Sequence, residues 1–389
     1  MVPALAAAAL LIPSAAGAAP AKVGNVYTET NDPGGNQIVA FDRFSDGTLA
    51  ESQRVATGGV GEPAAACSMT PPFDVCPITD SQGAVNINPT GTLLFAVNAG
   101  SDTISSFRIS PTRGLTLVQT INSGGDYPSS LTQDGNVLYV LNEETGNIDG
   151  FTFSSSGTMT EIPGSNQSLA TPGPGGAAAQ VGFDRLGRYL VVTERATSRI
   201  DTFKVTNGVA GPATSTVTPA DATTPFGFAF DGLRHLVVSD ALSEQTGAAT
   251  TYNESLNGTL TPIDTESTNG GAPCWVVVTP DSKFAFITNT TTKSIARFAL
   301  GTNGSLKLLG TTPILHTPDG PSLFPTDEAL SSDGRFLYVL VPSVFGGVIG
   351  TGANTSRIDE YSVGSTGDLT FVGSTPENMG PGVSGLAAH

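Results

Sequence analysis

Short apolar stretches alternate with polar turns along the whole chain, and residues 272–306 show the pattern most fully. In this segment a Thr-Pro-Asp-Ser turn joins two apolar stretches, a third ends at Phe298, and a fourth begins at Leu306. Runs rich in Val, Ile, Thr and Phe that are bounded by turn residues predict β-strands. No long stretch has helical periodicity, so the segment predicts four short antiparallel strands.

The third strand of this unit carries an apolar-x-x-aromatic step that recurs seven times. The seven copies are Ile38/Phe41, Ile104/Phe107, Ile148/Phe151, Ile200/Phe203, Ala249/Tyr252, Ile295/Phe298 and Ile358/Tyr361. Most intervals between the aromatic anchors match one four-stranded propeller blade of ~40–50 residues. One unit is too small to bury its own apolar faces, so the units must share a core. We therefore predict an all-β fold, a seven-bladed β-propeller of four-stranded antiparallel blades.

The two ends of the chain complement each other. Residues 24–49 contain three strands with no inner strand before them, whereas residues 381–387 resemble an inner strand with no partner after it. Pairing the two ends would close the ring and remove its exposed sheet edges. We predict one propeller domain, residues 19–389, in which the C-terminal strand joins the N-terminal blade.

Two long intervals between anchors locate insertions at residues 60–83 and 342–356. Successive strands of a blade are antiparallel, so both insertions emerge on one face, opposite the Pro-Asp and Asp-Gly turns. Insertions collected on one face commonly mark a binding face.

Net charge and the N-terminal segment limit the expected partners and the expected location of the protein. The formal net charge is −17 and the sequence pI is about 4.4, so a phosphate backbone is a poor partner and nucleic acid is not expected. Residues 1–18 form a short apolar run ending in Ala16-Gly17-Ala18, which predicts a secretory signal peptide. No later stretch is long enough to span a membrane. We expect a secreted protein, extracellular or in the cell wall.

Cysteines and glycosylation sequons agree with export. Cys67 and Cys76 flank a proline-rich loop and could form a local disulfide, while Cys274 lies in an apolar strand. No Cys/His spacing resembles a zinc site, and we expect neither a metal nor another cofactor. Six Asn-x-Ser/Thr sequons are candidate glycosylation sites, at Asn166, Asn253, Asn257, Asn289, Asn303 and Asn354.

Three strings carry a family resemblance: residues 138–143 (LYVLNE), 280–289 (PDSKFAFITN) and 333–339 (DGRFLYV). With the repeat, they resemble the lactonase family of seven-bladed propellers, which includes 6-phosphogluconolactonase-like enzymes and fungal 3-carboxymuconate cyclases. The resemblance spans nearly the whole chain after the leader. It implies a small lactone or organic acid as substrate.

The catalytic motifs of that family are not matched. The family pattern has a His at the start of one inner strand, a Gly-Pro-Arg-His in the next blade, and an acidic residue one hairpin later. Here residues 177–184 contain no His and residues 224–231 contain no Arg. Asp240 stands where the acidic residue would fall.

Residues that end second strands or open inner strands should surround the top of the channel. Lactone chemistry needs a group that moves a proton and a donor that holds anionic charge. Glu194 and Asp240 are the candidate catalytic groups, although Arg199 could hold Glu194 in a structural ion pair. The candidate substrate-binding residues are Tyr127, Glu143, Gln180, Arg195, Asp327 and Glu328.

Two functions stay open at this point. One is a secreted lactonase or lactonizing cyclase. The other is a non-catalytic glycoprotein, such as an adhesin or antigen, that binds a cell-surface or matrix ligand. Whole-length resemblance favours the first, and the unmatched His and Arg motifs favour the second.

Overall fold

A computed structural model of the protein describes residues 19–62, 81–314, 324–342, 344–345, 348–349, 356–376, 378–380 and 382–389. Seven antiparallel sheets form the blades, so the predicted seven-bladed propeller is confirmed, and a separate two-stranded sheet lies within the second insertion. In blades 2, 4, 5, 6 and 7 the four strands run in chain order from the inner strand to the outer strand. The described residues include no helix long and apolar enough to cross a membrane.

The strands are short and follow the repeat. In chain order they are β1 (Lys22–Glu29), β2 (Gln37–Phe44), β3 (Leu49–Ala56), β4 (Val85–Ile87), β5 (Leu93–Asn98), β6 (Thr103–Ser110), β7 (Gly114–Asn122), β8 (Pro128–Asp134), β9 (Val137–Asn142), β10 (Asn147–Phe153), β11 (Met159–Glu161), β12 (Gln167–Ser168), β13 (Ala178–Phe183), β14 (Tyr189–Glu194), β15 (Arg199–Thr206), β16 (Val209–Val217), β17 (Pro225–Phe230), β18 (His235–Asp240), β19 (Ala248–Glu254), β20 (Leu260–Ser267), β21 (Pro273–Val278), β22 (Phe284–Asn289), β23 (Ser294–Leu300), β24 (Leu306–Pro313), β25 (Glu328–Leu330), β26 (Phe336–Val341), β27 (Val344–Phe345), β28 (Val348–Ile349), β29 (Arg357–Val363), β30 (Leu369–Ser374) and β31 (Ser384–Ala388). Two 3₁₀ turns lie at Ala99–Ser101 and Pro174–Gly176.

The ring closes as the sequence predicts. Blade 1 has the strand order β3-β2-β1-β31, so its inner strand comes from the C-terminus. β31 pairs antiparallel with β1, with Tyr27 opposite Ala387 and Thr28 opposite Leu386. Every inner strand therefore has a partner in its own blade, and its other edge is a short one that faces the central channel.

The aromatic anchors explain why the blades need one another. All seven lie on the third strand of their blade and are at most 1% exposed. Each blade–blade interface holds an apolar cluster to which both blades contribute. Burying one such aromatic side chain contributes ~1.5–3 kcal/mol, a gain that a lone blade cannot make.

Blade 3 departs from the predicted four strands, because its outer strand is split. β11 and β12 both pair with β10 and are separated by Pro163 and Gly164. Proline has no N–H for the ladder, so the strand breaks at that point. Ser165 then donates a hydrogen bond to the buried Asp149 at 2.8 Å, which holds the break in place.

The connections divide between two faces. We call the face on which the inner strands begin, and the second strands end, the upper face. Both predicted insertions connect strands there, and β27 and β28 lie within the second. The opposite, lower face carries the tight turns: Asp231 accepts hydrogen bonds from the N–H groups of Leu233 and His235, both at 2.8 Å, as expected for a turn aspartate.

Candidate functional site

The end of the first insertion crosses the central channel at residues 81–83. The side-chain amide of Gln82 donates to Val276 O at 2.7 Å and accepts from Val276 N at 3.0 Å, on β21 across the channel. The Gln82 N–H donates to Ala179 O at 3.2 Å. Trp275 Nε1 donates to Ser81 O at 3.0 Å. Contacts with blades 4 and 6 therefore fix this short segment across the channel.

Above it, blades 3 to 6 bring four large side chains together on the upper face. We call Glu143, Arg195, Phe226 and Trp275, with Tyr127 beside them, the upper cluster. Arg195 Nη2 donates to Glu143 Oε1 at 2.9 Å, and Arg195 Nε donates to Ala177 O at 3.0 Å. The guanidinium carbon lies 5.1 Å from the centre of the Phe226 ring, and that ring lies 5.1 Å from Trp275.

The upper cluster holds Arg195 in one orientation. The side chains of Arg195 and Glu143 are only 14% and 6% exposed, so their ion pair is screened by little water. The Glu143 N–H donates to Tyr127 O at 2.9 Å, which fixes the carboxylate residue against blade 3. A planar guanidinium fixed on a ring face is suited to binding a carboxylate or a developing oxyanion. The structure thus brings three predicted substrate-binding residues, Tyr127, Glu143 and Arg195, into one place.

Glu194 does not have the predicted catalytic placement. Its side chain is fully buried and accepts hydrogen bonds from Thr171 N at 3.0 Å and Thr197 Oγ1 at 2.6 Å. No ion pair with Arg199 exists among the described residues. The carboxyl instead lies beside Asp201, whose pKa is raised to about 6 by burial and by the nearby Glu194. The two carboxyls bind backbone N–H groups of the loop that links blades 3 and 4, which is a structural role.

Asp240 is likewise buried away from the channel. It is fully buried, accepts a hydrogen bond from Thr250 Oγ1 at 2.6 Å, and its Oδ1 has no partner among the described residues. Burial, and next the nearby Asp221, hold the pKa of this carboxyl well above its usual range. The structure thus places both members of the predicted catalytic pair in buried hydrogen bonds and does not bring them together with the upper cluster.

A shared position in the repeat explains the placement of both carboxyls. The last residue of the second strand is polar and fully buried in six blades: Glu29, Asn98, Asn142, Glu194, Asp240 and Asn289. Asn142 donates to Ser123 O at 3.2 Å and Asn289 to Thr268 O at 3.4 Å, both in the connection from the preceding blade. This position ties each blade to its neighbour, so its carboxylates follow a structural pattern.

Gln180, Asp327 and Glu328 lie deeper, in the channel below residues 81–83. The amide of Gln180 donates to Phe228 O at 3.1 Å and accepts from Phe228 N at 2.6 Å, so it links inner strands β13 and β17. Asp327 accepts hydrogen bonds from Glu328 N at 2.9 Å and Leu386 N at 3.0 Å. The structure therefore separates these three residues from the upper cluster.

Burial is the main cause of the raised pKa values of the two channel carboxyls, Asp327 and Glu328. Asp327 and Glu328 are each 2% exposed. Burial raises the pKa of Asp327 to about 8. Burial, and next the adjacent Asp327, hold the pKa of Glu328 well above its usual range. The described residues contain no group of three or more His, Cys, Asp or Glu placed to hold a metal ion.

The structure places some of the predicted glycosylation sites on the surface and others not, and it describes one of the three cysteines. Asn166, Asn253, Asn257 and Asn303 are exposed, whereas Asn289 is fully buried and hydrogen bonded. We therefore correct the prediction of a glycosylation site at Asn289, because an amide enclosed by the fold cannot accommodate a glycan. Cys67, Cys76 and Asn354 lie outside the described residues, while Cys274 is buried as expected.

Two residues of this region were missed. Trp275 is the only tryptophan of the chain and lies near the start of inner strand β21, so the rule that selected Gln180 near the start of β13 selects it too. Gln82 ends the first insertion. Its partner Val276 is 194 residues away in sequence, and no local pattern predicts that contact.

A comparison with models of known protein families shows which family the chain belongs to. A family model described as a seven-bladed β-propeller lactonase matches residues 34–168, 130–246 and 233–325. The chain belongs to the seven-bladed β-propeller lactonase family.

Individual relatives of this lactonase-family chain are distant. A 6-phosphogluconolactonase of Cronobacter sakazakii is 21% identical over 253 residues, covering 63% of this chain and 72% of the relative. The crystal structure of a 6-phosphogluconolactonase candidate from Bacteroides uniformis has a TM-score of 0.67 at 18% identity and covers 93% of this chain and 99% of that one. The structure of the periplasmic gluconolactonase of Pseudomonas aeruginosa has a TM-score of 0.53 at 19% identity, and the match covers 70% of this chain and 78% of that one. At this identity the two solved structures support the fold alone.

Proposed function

We propose that this chain acts on a small lactone, or on an organic acid that closes to a lactone, at the upper cluster. The observation that carries the proposal is the placement of Arg195, whose guanidinium is fixed by Ala177 O, Glu143 and the ring of Phe226. Family membership supplies the substrate class. A 3-carboxymuconate-type acid is one candidate, because its carboxylates suit a guanidinium.

In the proposed hydrolysis, Arg195 binds substrate carboxylate or the oxygen that becomes negative when water attacks the lactone carbonyl. Glu143 accepts a proton from that water and returns it to the ring oxygen as the ester C–O bond breaks. The reverse sequence closes a hydroxy acid to its lactone. For an unsaturated acid, addition of a carboxylate across the double bond, with proton delivery from Glu143, closes the ring.

The upper cluster is tested by turnover of a lactone panel, and of 3-carboxymuconate, followed by ultraviolet absorbance. We expect Arg195→Gln to lower kcat/KM by about 10²–10³-fold, as does loss of an oxyanion donor. Glu143→Gln should lower kcat by about 10²-fold or more. Arg185→Gln removes the same charge from an exposed lower-face position and should leave turnover unchanged. Full activity in both upper-cluster variants would contradict the assignment.

A second function, binding without catalysis, is favoured by a different observation. Residues 81–83 cross the channel, and the inner strands β13 and β17 contain neither the His nor the Arg of the family pattern. A folded wild-type chain that turns over no substrate of the panel would favour this alternative, a secreted propeller with a cell-surface or matrix ligand.

We also propose that the chain is exported and glycosylated. The support is the leader at residues 1–18 and the exposure of Asn166, Asn253, Asn257 and Asn303. We expect the secreted protein to begin near Ala19, and an endoglycosidase that removes N-linked glycans to lower its mass. Peptide mapping should find glycans among the four exposed sequons and an unmodified Asn289. A glycan at Asn289, or an intact leader on the mature protein, would contradict the proposal.

A further inference from the structure

Below residues 81–83 the channel contains a cavity of about 420 Å³, within the size range of small-molecule sites. Residues of all seven inner strands line it. The segment 81–83 covers its upper end. At its lower end, the last residues of the inner strands are partly exposed, as at Ile87, Phe183, Phe230, Leu330 and Ala388. A ligand would therefore enter from the lower face, opposite the upper cluster.

One side of this cavity presents hydrogen-bond acceptors without donors. Neither carboxyl oxygen of Glu328 makes a hydrogen bond of full geometry within the described residues, although the side chain is 98% buried; the backbone N–H of Val277 lies near enough to favour the charged form. The buried Oδ1 of Asn86 also lacks one. By contrast, the polar atoms of Gln180 are occupied by Phe228. A buried acceptor without a donor is costly, so the cavity is matched to a ligand that brings N–H groups.

The remaining wall is largely apolar and includes three aromatic rings. Phe183, Phe228 and Phe230 line the cavity with aliphatic side chains such as Leu131 and Leu386. Phe228 and Phe230 meet edge to face, with ring centres 6.2 Å apart. Such a surface favours an apolar ligand body, and aromatic faces attract a cation.

A divalent metal ion fits this cavity less well. Calcium takes 6–8 oxygen ligands, and magnesium requires an octahedral set. Among the described residues that line the cavity, Asp327 and Glu328 are the only ones with titratable side chains, and the oxygens of Asp327 already accept backbone hydrogen bonds. A carboxyl with no cationic partner, in a cavity that three aromatic rings also line, matches a single positive charge on an apolar body.

We propose that the lower half of the channel binds a small organic ammonium ion, whose charged nitrogen meets Glu328 and Asn86 and whose apolar body lies against Phe183, Phe228 and Phe230. This site is separate from the upper cluster, and its occupation does not depend on lactone chemistry.

Binding is expected to depend on pH. Burial holds the pKa of the Glu328 carboxyl well above its usual range, so this group must release a proton before it can pair with the ammonium. Within the described part of the chain, Asp327 is the only other titratable group that lines the cavity; burial raises its pKa to about 8, and its negative charge would add to the attraction. Affinity should therefore rise from pH 5 to pH 8, with net proton release on binding.

The test is isothermal titration calorimetry with 2-phenylethylammonium, its neutral isostere 2-phenylethanol, and calcium chloride. We expect the ammonium to bind more tightly than the alcohol, and Glu328→Gln to weaken it tenfold or more. Glu254→Gln is the matched control: Glu254 is also buried with two unpartnered oxygens but lies outside the cavity. This control should bind with wild-type affinity.

A second variant leaves Glu328 intact. Ala388→Leu places a larger side chain at the lower end of the cavity and should abolish ammonium binding; because Ala388 also packs against the cluster between blades 7 and 1, the unfolding transition of the variant is measured beside its binding. The proposal is overturned if the ammonium fails to bind, if the alcohol binds equally well, if only calcium binds, or if Ala388→Leu binds normally. Because binding is measured rather than turnover, a failure here leaves the proposed lactone chemistry untouched.

Discussion

A chain that ends at residue 381 is expected to lose its cooperative unfolding transition and to aggregate. The deletion removes β31, the inner strand of blade 1, and leaves one edge of β1 unpaired. It also removes Val383 and Leu386 from the cluster between blades 7 and 1. Losing two such side chains forfeits ~3–6 kcal/mol before the ladder is counted, against a typical total stability of ~5–15 kcal/mol.

Thermal unfolding followed by circular dichroism, together with size-exclusion chromatography, measures this effect. The deletion should give no sharp transition, and Leu386→Asp should act in the same direction by placing a carboxylate in an apolar cluster. Leu186→Asp is the matched control, since Leu186 is 51% exposed in a lower-face turn. A monomeric truncated chain with the wild-type Tm would show that closure by the C-terminal strand is dispensable.

The fold could be predicted because its determinants are local and repeated. The anchor spacing, the turn residues and the unpaired ends all appear in the linear sequence, and together they determine blade number and closure. The split outer strand of blade 3 needed a further step. Pro163 is visible in the sequence, but the recovery of pairing at β12 depends on the buried contact between Ser165 and Asp149.

The candidate site could be predicted only in part. Position in the repeat selected Arg195, which lies in the upper cluster, and Glu328, which lines the channel below residues 81–83. It could not separate a carboxylate facing a cavity from one that binds a neighbouring loop, because Glu194 and Asp240 occupy the strand-end position that Asn142 also occupies. That distinction depends on contacts between blades, such as Thr171 with Glu194, which the linear pattern does not contain.

The free energy of unfolding is expected to fall as pH rises from 5 to 8. Several buried carboxyls have a folded-state pKa above the usual range, in each case chiefly through burial: Asp201 at about 6, Glu254 and Glu360 at about 7, and Glu29 and Asp327 at about 8. Unfolding exposes these groups to water, where they ionise near pH 4–4.5. Between those values the folded chain binds more protons than the unfolded chain.

The sign follows from proton linkage. Stability decreases with pH wherever the folded state holds the extra protons, by up to ~1.4 kcal/mol per pH unit for each group within its window. The contribution is complete below about pH 4, where both states are protonated, and is lost as pH approaches the folded-state pKa. We expect a loss of at least ~3 kcal/mol between pH 5 and pH 8, measured by urea unfolding at each pH.

Glu29 offers the sharpest test of this origin, because it also joins the chain ends. Its carboxyl accepts hydrogen bonds from Asn36 Nδ2 and from Ser384 Oγ on β31, both at 3.0 Å. Glu29→Gln keeps the shape but cannot ionise, so its stability should fall less steeply with pH than that of the wild type. Glu144→Gln, at an exposed position, should keep the wild-type slope. Stability that is flat or rising from pH 5 to pH 8 would mean that these carboxyls are already ionised in the folded chain, and that the ring closes around charge rather than around protonated acids.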